Sequence, residues 1–143
     1  MTSSSAAQAA RDVRVVVGRL RRRLRDVADI GDLTPSQTSV LSRLSKEGPA
    51  SASDLAAAEH VRPQSIAATL AVLEERQLIE RRPDPRDGRR QLIDLTAPGH
   101  ELIDGSRQAR QEWLARALDE RCTEAERQTI IAAMALLERL GEQ

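Results

Sequence analysis

Two helix starts, one at Ser51 and one at Arg62-Pro63, constrain the middle of this 143-residue chain more than any other feature. Ser51-Ala-Ser-Asp54-Leu55-Ala-Ala-Ala58 opens with a serine whose side chain can accept from an orphan helix N–H, and Asp54 three residues on completes a capping box. Glu59-His60-Val61 interrupts the run. Pro63 restarts it, because a missing N–H does no harm at the first helical position. The spacing thus predicts a short helix, a sharp turn and a second helix from Pro63 to about Gln77. On that second helix Ile66, Ala67, Leu70 and Leu73 recur on one side, and Gln64, Ser65, Ala68, Thr69 and Ala71 look outward. Short polar side chains on an exposed helix let its backbone approach a DNA major groove and read base edges.

Beyond the helix pair, Leu78-Ile79-Glu80-Arg81-Arg82 and Gln91-Leu92-Ile93-Asp94-Leu95 read as two short strands around Pro83-Asp84-Pro85-Arg86-Asp87-Gly88-Arg89-Arg90. Asp-Gly suits a tight reversal, and the two prolines keep the loop stiff. Residues 81 to 90 hold five Arg against Asp84 and Asp87, a local charge of +3 on a chain of net charge zero.

The order helix, turn, helix, arginine-tipped hairpin resembles the winged helix-turn-helix of MarR-type transcriptional regulators. The residues that carry the resemblance are Leu78-Ile79-Glu80-Arg81, Asp84-Pro85-Arg86-Asp87-Gly88-Arg89 and Leu95-Thr96-Ala97-Pro98-Gly99, and the hairpin motif is the specific part. The likeness extends less distinctly from Ala9 to Leu140. It implies a mainly α winged helix-turn-helix, about six helices plus a small β-hairpin wing, with N- and C-terminal helices forming a dimerisation domain. The expected division is a disordered N-terminus over 1–8, a helical dimerisation region over 9–33 and 97–143, and a DNA-binding domain over 34–96. Position 62 often holds a small capping residue in such proteins; Arg62 cannot cap in the usual way and is expected to reach a phosphate or a guanine. In the wing, Asp84 and Arg86 are expected to pair and brace the loop, a role the family pattern implies. Arg86, Arg89 and Arg90 are the expected wing contacts, with Arg89 and Arg90 the freer to meet phosphates or a narrow minor groove.

The rest of the composition fits a helical protein. Trp113 is the sole aromatic among Phe, Trp and Tyr, so the core must be Leu, Ile, Val and Ala. Lys plus Arg equals Asp plus Glu at 22 each, so the charge argument rests on distribution. Seven Arg face one Asp between residues 11 and 25, whereas six Arg face nine acids from residue 97 on. One cysteine, Cys122, excludes an intrachain disulfide and a multi-cysteine metal site. Residues 1 to 10 lack the charged and apolar parts of a secretion signal, and no uncharged run approaches the ~20 residues of a membrane span. A reducing cytoplasm is the expected setting.

In chain order, Val13, Val16, Val17, Leu20, Leu24, Val27 and Ala28 give an amphipathic helix from Ala9 to Ile30, ended by Gly31-Asp32. Thr34-Pro35-Ser36-Gln37 caps the next helix, which carries Val40, Leu41 and Leu44 inward, and a brief extended piece near Ala50 is placed to pair with the wing. Thr96 starts a long helix with Leu102, Ile103, Ser106, Ala109, Trp113, Leu114, Ala117 and Leu118 along one side. Thr123-Glu124-Ala125-Glu126 caps the last, with Ile130, Ile131, Met134, Leu137 and Leu140 apolar. A two-fold partner is the simplest cover for these ends, with Val13, Val16, Leu20, Ile130, Met134 and Leu137 at the interface, and it sets two reading helices about one DNA turn (~34 Å) apart.

The leading expectation is therefore a homodimeric, sequence-specific repressor of a palindromic operator on double-stranded DNA, released by a small molecule. The resemblance implies a small aromatic or phenolic effector, and Trp113, otherwise core, could line its cleft. The arginine run from Arg19 to Arg25 reads first as the wet face of a helix and second as a phosphate patch. His60 and His100 read as local hydrogen-bonding residues, and Cys122 does not stand where a peroxide-sensing thiol of this family would. A winged adaptor without DNA binding is the alternative, but it would expose apolar residues where this chain offers Gln, Ser, Ala, Thr and Arg. No metal cluster, cofactor motif or catalytic constellation can be assembled, so an enzyme is not expected.

Overall fold

A computed structural model describes residues 1–28 and 33–142. Its elements run α1 (Ser4–Val27), α2 (Pro35–Glu47), α3 (Ala52–Ala58), α4 (Pro63–Glu75), β1 (Ile79–Pro83), β2 (Gln91–Leu95), α5 (Ala97–Arg121) and α6 (Glu124–Glu138). They form two compact units, Met1–Val27 with Gln108–Gln143 and, separately, Ala28–Arg107. The division falls inside α5 rather than at the expected 96/97 boundary. The first turns of α5 go with the central unit because Gly99 and Ile103 are buried there.

The central unit surrounds Val40, Leu41 and Leu44 of α2, Leu55 of α3, Ile66, Leu70 and Leu73 of α4, Ile79, Ile93 and Leu95 of the hairpin, and Ile103. Each fully buried Leu or Ile contributes about 1.5–3 kcal/mol of transfer free energy, and no aromatic side chain is needed. Both strands lie antiparallel, Ile79 opposite Leu95 and Pro83 opposite Gln91. Ala50 adds the expected third piece, exchanging backbone hydrogen bonds with Ile93 at 3.1 and 2.8 Å. The register sets Glu80 opposite Asp94, a like-charge pair that would weaken the ladder. Arg82 lies 3.4 Å from Asp94 and offsets it.

Caps fix the helix ends. Thr34 and Gln37 form a reciprocal box on α2, and Thr123 and Glu126 form one on α6, where the Thr123 backbone N–H holds the Glu126 carboxyl below the usual range. The exits of α3 and α4 share one geometry. Val61 N–H reaches the Ala56 carbonyl and His60 N–H that of Ala57; Leu78 N–H reaches Leu73 and Gln77 N–H that of Glu74. This is the pattern that calls for a left-handed residue, most often glycine. Here His60 (φ 55°) and Gln77 (φ 61°) supply it.

Gly99 is required for a different reason. A Cβ there would overlap the Leu78 carbonyl oxygen. The start of α5 thus lies against the exit of α4, and Thr96 fastens the two by donating to the Gln77 carbonyl at 2.6 Å while accepting from Gly99 N–H.

The terminal unit differs from expectation at its start. α1 begins at Ser4, not Ala9, because Ser3 accepts from the Ala6 N–H at 3.1 Å and the alanine-rich run that follows favours helix. Residues 1–8 are therefore largely helical. The expected helix end at Ile30 to Asp32 lies outside the described residues. Val16, Leu20 and Met134 are exposed, Val13, Ile130 and Leu137 are half-buried, and α1 and α6 contain no buried residue. Arg127 closes the turn between α5 and α6, donating to the Cys122 carbonyl at 2.6 Å and pairing with Glu124 at 3.0 Å.

Candidate nucleic-acid interface

Within the central unit, α4 buries Ile66, Leu70 and Leu73 and exposes Gln64, Ser65, Ala67, Ala68 and Ala71. Ala67 was expected inward; it lies on the exposed side, because the three large residues already fill the contact with the core. Thr69 is half-buried, and its hydroxyl donates to the Ser65 carbonyl at 3.1 Å, leaving only its lone pairs for a ligand. Gln64 and Ser65 therefore carry the donors of this face.

Arg62 occupies the N-cap of α4 with an extended backbone and makes no side-chain cap. Pro63 has no N–H, and the Ser65 and Ile66 N–H groups donate to the Arg62 carbonyl. The Gln64 N–H and a guanidinium with no ion-pair partner among the described residues thus lie together at the start of this helix, an arrangement that favours a phosphate oxygen.

Ser39, Arg43 and Glu59 hold this helix pair in place. Ser39 donates to both Glu59 oxygens at 2.9 Å, and Arg43 Nε donates to Glu59 Oε1 at 3.1 Å, tying α2 to the end of α3. Glu59 is the C-cap of α3, where the helix dipole disfavours an anion. An acid at such a position requires a cation, and that mismatch was the signal in the sequence that could have revealed the clasp.

The wing arginines separate into two groups. Arg81 pairs with Glu74 at 2.8 Å, Arg82 with Asp94, and Arg90 with Asp54 at 2.8 Å. Arg90 also donates to Ser51 Oγ at 2.8 Å, so it fastens the hairpin to the cap of α3 rather than reaching outward as expected. The Ser51 hydroxyl, then Arg90, hold the Asp54 carboxyl below its usual range. At the tip, Asp84 Oδ1 accepts from the Arg86 backbone N–H at 2.8 Å and Asp87 Oδ1 from the Arg89 N–H at 3.1 Å. The expected Asp84–Arg86 ion pair is not formed among the described residues. At a separation of two residues the short carboxylate closes an Asx turn on the backbone, which leaves the guanidinium unengaged. Arg86 and Arg89 are the wing cations with no partner among the described residues.

In the terminal unit Trp113 is half-buried, with the Arg23 guanidinium 5.4 Å from its ring centre. Cys122 is a free, half-buried thiol. Among the described residues no group of three or more His, Cys, Asp or Glu could hold a metal ion, and no helix is long and apolar enough to cross a membrane.

The family model described as "MarR family" matches residues 33–90. An uncharacterised HTH-type transcriptional regulator of Mycobacterium bovis is 40% identical over 114 residues, 80% of either chain. A crystal structure of a transcriptional regulator protein from Pseudomonas aeruginosa superimposes with TM-score 0.88 at 36% identity, covering 99% of both chains. The fold is also that of a mutant of MepR from S. aureus crystallised bound to an oligodeoxyribonucleotide, with TM-score 0.69 at 21% identity over 94% of this chain and 98% of that one.

Proposed function

The chain belongs to the MarR family of helix-turn-helix transcriptional regulators, DNA-binding proteins rather than enzymes, and from that premise we propose that it represses transcription as a homodimer on a palindromic operator. In this reading Gln64, Ser65 and Ala68 enter the major groove, Thr69 accepts a hydrogen bond there, Arg62 grips the phosphate beside the helix start, and Arg86 and Arg89 reach along the adjacent backbone or minor groove. One observation carries it: Arg62, at the start of α4, and Arg86 and Arg89, in the wing loop, have no ion-pair partner among the described residues, while Arg81, Arg82 and Arg90 are neutralised within the fold. The exposed apolar residues of α1 and α6 support a two-fold partner. Release follows when a small aromatic or phenolic molecule bound beside Trp113 favours a spacing of the two α4 helices that breaks register with the half-sites. A cytoplasmic setting follows from the same role.

Selection of bound duplexes from a random pool tests the proposal. An inverted repeat with half-site centres about 10 bp apart is the expected product. A pool that shows no enrichment at low ionic strength overturns the reading.

A further inference from the structure

α1 carries an arginine pattern that neither the helix nor a two-fold partner accounts for. Arg11, Arg14, Arg22 and Arg25, with Gly18 between them, recur at the three- and four-residue spacing of one helix face. Val13, Val16, Leu20, Leu24 and Val27 each follow one member of that series by two residues, and two residues turn an α-helix by about 200°. The cationic stripe therefore lies opposite the apolar stripe. A second copy that covers the apolar stripe cannot also neutralise Arg11, Arg22 and Arg25.

These four arginines are exposed, and none has an ion pair among the described residues. Arg11 with Arg14 and Arg22 with Arg25 are like charges three apart, a spacing that weakens a helix unless an anion intervenes. Gly18, which also weakens a helix relative to alanine, leaves bare backbone at the centre of the stripe; the nearest neighbour of a Cβ built there would be Arg22 Nη1 at 3.7 Å. Arg14 and Arg22 differ by eight residues, a rise of about 12 Å, close to the ~12 Å width of a major groove. Guanidinium groups at that separation match phosphates on the two edges of a groove, with Gly18 facing the gap.

We propose that Arg11, Arg14, Arg22 and Arg25 form a second, sequence-independent phosphate-binding surface that holds duplex DNA outside the bases read by α4. The proposal rests on the reading of the chain as a DNA-binding regulator, and it commits to duplex DNA because unpaired guanidinium groups spaced along one helix face by about the width of a groove complement the regular phosphates on its two edges.

The test uses the full chain, a 60-bp random-sequence duplex and the duplex recovered by selection, titrated over a salt series. The variant Arg11→Gln/Arg14→Gln/Arg22→Gln/Arg25→Gln keeps good helix formers and removes four charges per copy. Relative to wild type it is expected to bind the random duplex at least about tenfold more weakly, with a log–log salt slope shallower by about 2 or more, while keeping the ratio of selected to random affinity. Unchanged affinity and slope overturn the proposal and leave the α4 reading standing. If selection yields no operator while wild type still holds random duplex through the stripe, the α4 reading fails and the stripe survives. Equal wild-type binding to poly-glutamate or to vesicles of anionic lipid assigns the surface to another class of partner and overturns it. Arginine modification of wild type by phenylglyoxal, mapped by peptide mass, gives a readout free of folding effects: protection of Arg11 to Arg25 by the 60-bp duplex is expected, and equal modification with and without it overturns the proposal.

Discussion

Arg90 and Asp54, 36 residues apart in the chain, meet at 2.8 Å and join the end of the wing loop to the first turn of α3. The pair is exposed, 46% and 63% for the two side chains, so it is worth little to global stability. Its effect is positional. Asp54→Asn should lower DNA affinity roughly 3–10-fold while moving the thermal midpoint by only a few degrees. Parallel DNA titrations and melts check it, and a large loss of stability with no separate loss of affinity would contradict it.

Acid should act through the same contact. Asp54 titrates below its ordinary value of 3.8 in the fold, so the contact is fully present above that value and is lost as pH falls through the lower, folded one. The wing-dependent part of DNA affinity should be flat from about pH 7 to 5 and decline only below about 4. A decline centred between pH 5 and 7 would place the titration on a histidine instead.

Arg62, Arg86 and Arg89 should behave differently from Arg90. Each of Arg62→Ala and Arg89→Ala should reduce the salt slope of operator binding by about 2 for a dimer, one phosphate contact per copy. Arg90→Ala should lower affinity with a smaller change of slope, since its guanidinium is engaged within the fold. Titrations at four or more salt concentrations separate the two patterns.

Gly99→Ala tests the seat of α5. Its Cβ would collide with backbone rather than with the end of a flexible side chain, so the loss should be about 2–3 kcal/mol, seen as a fall in thermal midpoint of roughly 5–15 °C. Gly105→Ala, on the same helix with open space around it, should be neutral or slightly stabilising.

The left-handed exits at His60 and Gln77 offer the opposite sign. Glycine at either position removes the Cβ clash of that conformation, partly offset by a more flexible unfolded chain. His60→Gly and Gln77→Gly should each stabilise by about 0.5–1 kcal/mol in chemical denaturation.

Local signals in the chain foretold the caps at Thr34, Ser51 and Thr123, the restart at Pro63 and the inward triad Ile66, Leu70 and Leu73, because each depends on neighbours three or four residues away. The division of labour among the wing arginines was not legible. Whether Arg90 or Arg86 braces the loop depends on Asp54, an acid brought near only by the hairpin's packing on α3. The clasp joins Ser39 and Arg43 of α2 to Glu59 at the end of α3, and only the acid at a helix C-terminus hinted at it in the sequence. The early start of α1 was missed because a serine-rich terminus suggests fraying until Ser3 is recognised as a cap.

A chain without Tyr or Phe carries one indole and no other strong chromophore. Emission and near-ultraviolet dichroism of the native protein therefore arise from Trp113 alone, beneath a cation that quenches or shifts it as the distance of 5.4 Å changes. The molecule is its own optical reporter for α1 and α5, while the reading helix and wing stay dark until a second tryptophan is placed there.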